Sequence, residues 1–137
     1  MIVKNRLKIK RTVPFKLTVD CYDEVVIDVA DTLLTYIIMN NKYITYGDLS
    51  NRMKNPINPR NLDRPLGIIS NACKENGLPL VSVMVVNKDD MFPGPGFFKS
   101  FYPGLKRDEW EACFVDMYQK VTKFKHWNDV RKAFCGD

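Results

Sequence analysis

Histidine, closely spaced cysteines and long apolar runs are the scarce features of this chain, and each scarcity excludes a class of protein. One histidine, His126, stands among 137 residues, so histidine-rich nuclease and metal centres are not available. Cys21, Cys73, Cys113 and Cys135 lie 52, 40 and 22 residues apart. Zinc sites usually take ligands in close pairs, because two thiolates on one turn can reach the same ion. The spacing therefore predicts no structural metal and no cofactor. A disulfide scaffold is equally unneeded: a chain of this length buries roughly 68% of its unfolded surface without staples. Buried free thiols are the reading that remains. The longest apolar stretches, such as Val81–Val86 interrupted by Ser82, fall far short of the ~20 residues of a spanning helix. Charges occupy the N-terminus where a secretory signal needs an apolar segment. These features predict a soluble cytoplasmic protein with no membrane partner.

What is present is the composition of one globular domain, with 45% hydrophobic and 27% charged residues. The net charge of +5 is unevenly spread. Residues 1–16 carry +6, residues 17–50 carry −5, residues 51–74 carry +4, and the remainder is balanced. Two basic segments thus flank an acidic one. Local clusters of this kind bind phosphate backbones, although a basic tail also serves solubility.

Apolar residues alternate from Leu7 to Val19, with Lys8, Lys10, Lys16 and Thr18 on the other face; this predicts a half-buried strand or hairpin bent at Pro14. Asp20 is placed to cap a helix carrying Val25, Val29, Leu33, Tyr36 and Ile37, which Asn40-Asn41 would stop. Thr45-Tyr46-Gly47-Asp48 has the form of a capping box for a short helix reaching about Met53. Asn55-Pro56 and Asn58-Pro59 mark a turn. A third helix bears Leu62, Leu66, Ile69 and Cys73, begins near Asp63 because Pro65 fits only a first turn, and ends at Asn76-Gly77. Pro79 to Asn87 reads as a buried strand. An aromatic, proline-rich loop from Met91 to Gly104 follows, its rings expected to pin it to the body of the fold. A long amphipathic helix through Trp110, Met117 and Val121, and a short one through Trp127, Val130 and Phe134, complete the chain. The expected organisation is a single domain: a basic N-terminal strand region (1–20), a winged-helix-like core (21–104) and C-terminal helices (105–137).

The expected fold class is α+β, with a winged helix-turn-helix core. In that plan the third helix enters a DNA groove and its N-terminal side chains reach the bases. A closer likeness rests on Ile44-Thr45-Tyr46-Gly47-Asp48-Leu49-Ser50, Asn55-Pro56, Pro59-Arg60-Asn61-Leu62, Leu66-Gly67, and Asn76-Gly77-Leu78-Pro79 before an apolar strand. In this order, over residues 24–97, the chain resembles the DNA-binding domain of the O6-alkylguanine-DNA alkyltransferases and the alkyltransferase-like proteins. These share a T-Y-G-(D/E/Q)-(I/L)-A stretch, an N-P turn, an R-A-V-G recognition helix and N-P before the active-site strand. The resemblance implies that Tyr46 presses on a target phosphate and helps turn a nucleotide out. It implies that Arg60, or Arg64 one turn on, fills the vacated stack, a role suited to a planar, hydrogen-bonding guanidinium. The same residue types also occur as a packed tyrosine and as solvated arginines.

The family's nucleophile sits in a P-C-H-R motif, and here the chain departs from it. Ser82 or Met84 falls at the cysteine position and no histidine follows, so neither the thiol nor its base is present. Asp89-Asp90 is a weak metal pair, best read as solvated, and the prolines of Met91–Gly96 remove the N–H groups a phosphate loop needs. The sequence therefore predicts a protein that is not an enzyme and that binds DNA, in duplex form, through Tyr46, Arg52, Lys54, Arg60 and Arg64, with Lys8 and Lys10 on a basic arm. The alternative is a protein-interaction module, such as a small phage or mobile-element factor that docks on a host nuclease or defence complex. Phe92, Phe97, Phe98, Phe101 and Tyr102 would form its surface.

Overall fold

Helix α1 (Glu24–Asn40) is the element around which the others pack, and its sequence explains why. Val26, Val29, Ala30, Leu33, Leu34 and Ile37 recur at three- and four-residue spacing and are all buried. In this computed structural model, residues 2–3 and 22–136 are described. The strand expected from Leu7 to Val19 lies outside the described residues, as do Lys8, Lys10 and Cys21. A short antiparallel pair, β1 (Ile2–Val3) and β2 (Tyr22–Asp23), precedes α1. The helix cap is Asp23 rather than the expected Asp20. Its Oδ1 accepts the Val26 N–H at 2.9 Å, directly after β2 ends. At the other end Asn41 takes a left-handed φ of 51° and donates its N–H to the Ile37 carbonyl at 2.8 Å.

Strand β3 (Ile44–Thr45) pairs in parallel with β4 (Val85–Val86), Ile44 opposite Val85 and Thr45 opposite Val86. Thr45 also caps α2 (Tyr46–Arg52): its Oγ1 accepts the Asp48 N–H at 3.2 Å. The reciprocal half of the expected capping box is replaced by an ion pair of Asp48 with Arg52 at 3.2 Å. The following turn is tied down from two sides. The Lys54 and Asn55 N–H groups donate to the Asp28 carboxylate at 2.9 and 2.8 Å, and the Ser50 hydroxyl donates to the Ile57 carbonyl.

A 3-10 turn over Pro59–Asn61 leads into α3 (Asp63–Glu75). Pro65 stands in its first turn, where a missing N–H leaves no bond unmade. Helix α3 stops in a Schellman arrangement: Gly77 has φ +68°, its N–H reaches Lys74 O at 3.1 Å, and the Leu78 N–H reaches Cys73 O at 2.9 Å.

Two expectations are corrected downstream. Pro79–Asn87 is not a strand throughout; a 3-10 turn over Val81–Met84 precedes the two residues of β4. Leu80 to Val86 are all buried, so there is no exposed face for alternation to mark. Ahead of β4, the Leu80 and Ser82 donors go elsewhere than to a sheet neighbour. The Leu80 N–H meets Met117 Sδ at 3.2 Å, and the Ser82 N–H meets Ser70 Oγ at 3.0 Å. The aromatic loop likewise contains a helix, α4 (Pro95–Phe101), opened by Pro95 in its first turn. Helices α5 (Trp110–Lys123) and α6 (Trp127–Cys135) follow, and α6 packs along α1. Trp127 joins them, its Nε1 donating to the Val121 carbonyl at 2.9 Å. The described protein is mostly helical, with one antiparallel and one parallel two-stranded sheet, an arrangement compatible with the α+β class. No helix of the described residues is long and apolar enough to cross a membrane.

Candidate nucleic-acid interface

The first turn of α3 gathers the expected binding residues most closely. Leu62 precedes it and provides no side-chain cap; its own N–H is bonded to the Pro59 carbonyl at 3.2 Å and Pro65 has no N–H, so the Asp63 and Arg64 N–H groups stand at the positive end of the dipole, together with the Asp63 carboxylate. Arg60, in the adjoining 3-10 turn, is exposed and has no ion pair among the described residues. Arg64 is also exposed and forms an ion pair with Asp23 at 2.9 Å. The Asp23 carboxyl is pulled up by burial but more strongly held down by the Val26 N–H and the Arg64 guanidinium, and lies below its ordinary range.

Tyr46 stands beside this turn but does not face solvent freely. Its hydroxyl meets the Asp63 carboxylate and the Gly94 backbone, and burial, followed by the Asp63 charge, pushes its pKa up to about 12. Gly94 permits that approach, since a Cβ there would lie 3.3 Å from Tyr46 Oη. As placed, Tyr46 is a half-buried packing residue whose phenol is already engaged, not one presented to a phosphate.

Arg52 and Lys54 belong to the α1 side of the molecule. The Arg52 guanidinium lies 5.0 Å from the centre of the Tyr36 ring besides pairing with Asp48. Lys54 is exposed, next to the Asp28 carboxylate that holds its backbone. Arg60, Arg64 and Tyr46 thus lie at or beside the start of α3, Arg64 turned to Asp23 and Tyr46 to Asp63 and Gly94, while Arg52 and Lys54 lie on the α1 side. Lys8 and Lys10 lie outside the described residues.

A small cleft opens beneath Tyr46, lined by Asp63, Gly67, Ser82 and Ser100, with a volume of about 80 Å³. Of the two residues that the resemblance offers for the cysteine position, Ser82 lines this cleft and Met84 is fully buried. Ser82 Oγ accepts a hydrogen bond from Ser70 Oγ at 2.6 Å. Among the described residues the only carboxylate lining the cleft is Asp63, already engaged by Tyr46. Among the described residues no base is therefore aimed at the Ser82 hydroxyl, and a serine without one is a weak nucleophile. The cleft is also small for a base, given that a cavity found to hold benzene measures roughly 150 Å³. Cys73 and Cys135 are pushed up to about 12 by burial, and Cys113 is raised by burial too, so none of these thiols is activated. Cys73, Cys113 and Cys135 are free.

The aromatic segment is placed differently from the expected docking surface. Phe97 and Phe98 are buried, and Phe92, Phe101 and Tyr102 are half-buried. Phe98 stacks on Trp110 with centroids 4.5 Å apart and planes within 7°, and on Phe92 at 5.4 Å. Helix α4 turns these rings inward, so Phe97 and Phe98 are withdrawn from any partner. Asp89 and Asp90 are exposed; Asp90 Oδ1 accepts the Phe92 N–H at 3.1 Å, a turn-closing role. Sequence reasoning missed the Arg64–Asp23, Tyr46–Asp63 and Ser70–Ser82 contacts. Only the last left a trace, two serines at core-facing positions in apolar stretches. No protein-family model, curated protein or solved structure matches the chain.

Proposed function

We propose that the chain is a cytoplasmic, non-catalytic nucleic-acid-binding protein of the alkyltransferase-like winged-helix type, which sets the start of α3 against duplex DNA. One observation carries the reading: Arg60 and Arg64 stand exposed beside the uncapped N-terminus of a thirteen-residue helix. Two guanidiniums beside the Asp63 and Arg64 N–H groups are suited to a phosphate. The Arg64–Asp23 pair does not block it, because an ion pair this exposed contributes only ~0–1 kcal/mol and a phosphate can replace the carboxylate. Lys54 adds charge along one side, and Lys8 and Lys10 are assigned to phosphate contacts from the N-terminal arm. The β3–α2–turn–α3–β4 order, with β3 and β4 paired, supports the winged-helix reading. The tight cleft under Tyr46 requires that any turning out of a base be accompanied by movement of Tyr46 or α4.

The test is binding of a 20-base-pair duplex and of a matched single strand across a salt series. Wild type is expected to prefer the duplex and to lose affinity steeply with salt, and Arg60→Ala with Arg64→Ala to reduce the slope of log K against log salt by about 2. Salt-independent binding, or a double variant that keeps the wild-type slope, refutes the proposal.

A further inference from the structure

The other end of α3 presents a different surface. Lys74 lies ten residues beyond Arg64, or about 15 Å along the axis at ~1.5 Å per residue. There an open groove of about 720 Å³ runs between the Gly77–Leu80 connection, the end of α4 and one face of α5. Its volume is within the range of about 300–1,000 Å³ typical of ligand pockets.

The floor is apolar. Leu78, Leu80 and Met117 form it, each just reached by solvent, and Phe101 and Tyr102 stand half-buried at its wall. The Leu80 N–H is already bonded to Met117 Sδ, so that donor is not on offer. The rim is cationic. Lys74, Lys120 and Lys123 border the groove, and no aspartate or glutamate of the described residues lines it. Lys120 pairs with Asp116 at 3.1 Å, whereas Lys74 and Lys123 have no ion pair among the described residues.

An apolar floor under a rim of one sign selects an occupant with an apolar body and negative flanks. Single-stranded nucleic acid has the charge but needs open ring faces for its bases. Here the floor is aliphatic, Leu78, Leu80 and Met117 offering no ring face, and Phe101 and Tyr102 stand only at the wall. A peptide meets both conditions. We propose that this groove docks an acidic segment of a partner protein, whose large apolar side chains rest on Leu78, Leu80 and Met117 while flanking carboxylates meet the three lysines. The surface is independent of the α3 N-terminus, and the proposal does not need the DNA reading.

The experiment displays a random dodecapeptide library against the full chain and measures the most enriched peptide by fluorescence anisotropy. Wild type is compared with a Lys74→Glu, Lys123→Glu double variant, both positions being exposed and so compatible with an unchanged circular dichroism spectrum. The expected result is enrichment of peptides with an apolar anchor between aspartates or glutamates, bound roughly tenfold or more weakly by the double variant. Affinity for a 20-base-pair duplex is expected to be lowered by less than that. Absence of enrichment, enrichment of peptides without acidic residues, or indifference to the charge reversal overturns the proposal. So does an equal loss of duplex binding, which would assign the lysines to nucleic acid instead.

Discussion

Replacing Phe98 by alanine separates an aromatic segment that builds the core from one that recognises a partner. Phe98 is 0% exposed. It is sandwiched between Trp110 at 4.5 Å and Phe92 at 5.4 Å, with Phe97 edge-on at 5.2 Å. Truncating a buried phenylalanine costs about 3–5 kcal/mol, the upper part of that range applying where neighbours cannot collapse into the space. Two flat stacking partners leave a slot-shaped void, so a loss of about 4 kcal/mol is expected. With the usual entropy of unfolding per residue, a chain of 137 residues should then melt about 14 °C lower. Urea denaturation followed by circular dichroism, extrapolated linearly to water, measures the difference directly. A docking aromatic would leave stability within about 0.5 kcal/mol of wild type. A measured loss under about 1 kcal/mol would therefore refute the packing described for α4.

Three further outcomes follow from the same contacts. Ser70→Ala should destabilise by about 1–3 kcal/mol in chemical denaturation, because it strands the buried Ser82 N–H; Ser82→Ala should cost less, since Ser70 Oγ still accepts from residue 82. Asp23→Ala removes the α1 cap and should cost about 1 kcal/mol near neutral pH. Because the Asp23 pKa is depressed in the fold, its contribution is present above the unfolded value of about 3.9, and wild type and variant should converge as the pH falls through the lower folded value. Cys73 and Tyr46 keep their protons up to about 12 in the fold, against ordinary values of 9.0 and 10.0. The unfolded chain loses these protons first, so stability should decline as the pH rises past about 9, and Cys73→Ala should make that decline shallower.

Local rules carried far in this sequence, and tertiary ones did not. Helical spacing located α1 and α3, and the Asn41 and Gly77 stops and the Thr45 cap were legible because each is a short-range backbone event. Of the strand expected over Pro79–Asn87 only Val85–Val86 is one; Leu80 to Val86 are all buried, which erases the alternation that distinguishes strand from 3-10 turn. The aromatic segment was open between core and surface in the sequence, since ring count fixes hydrophobicity but not direction; helix α4 supplied the direction. Among the candidate residues, Arg60 and Arg64 come from the resemblance and from the basic segment 51–74. That Arg64 holds Asp23, that Tyr46 is engaged by Asp63, and that Asp28 secures the Lys54–Asn55 backbone depend on residues brought together from distant parts of the chain. The lysine-rimmed groove is assembled from three separate segments and had no sequence signature.

The pairing of β3 with β4 is only two residues long, yet it acts as a clasp. Ile44 and Val85 meet across about forty residues that include α2 and α3. A protease cut in the exposed stretch around Asn55 and Pro56 would leave both pieces inside that closed loop, one ending in the α1–β3–α2 unit and the other beginning before α3. The halves would stay together through the clasp and through the shared core, and would part only when denatured. The basic end of α3 is in this sense carried by a closed ring of chain rather than by a hinge.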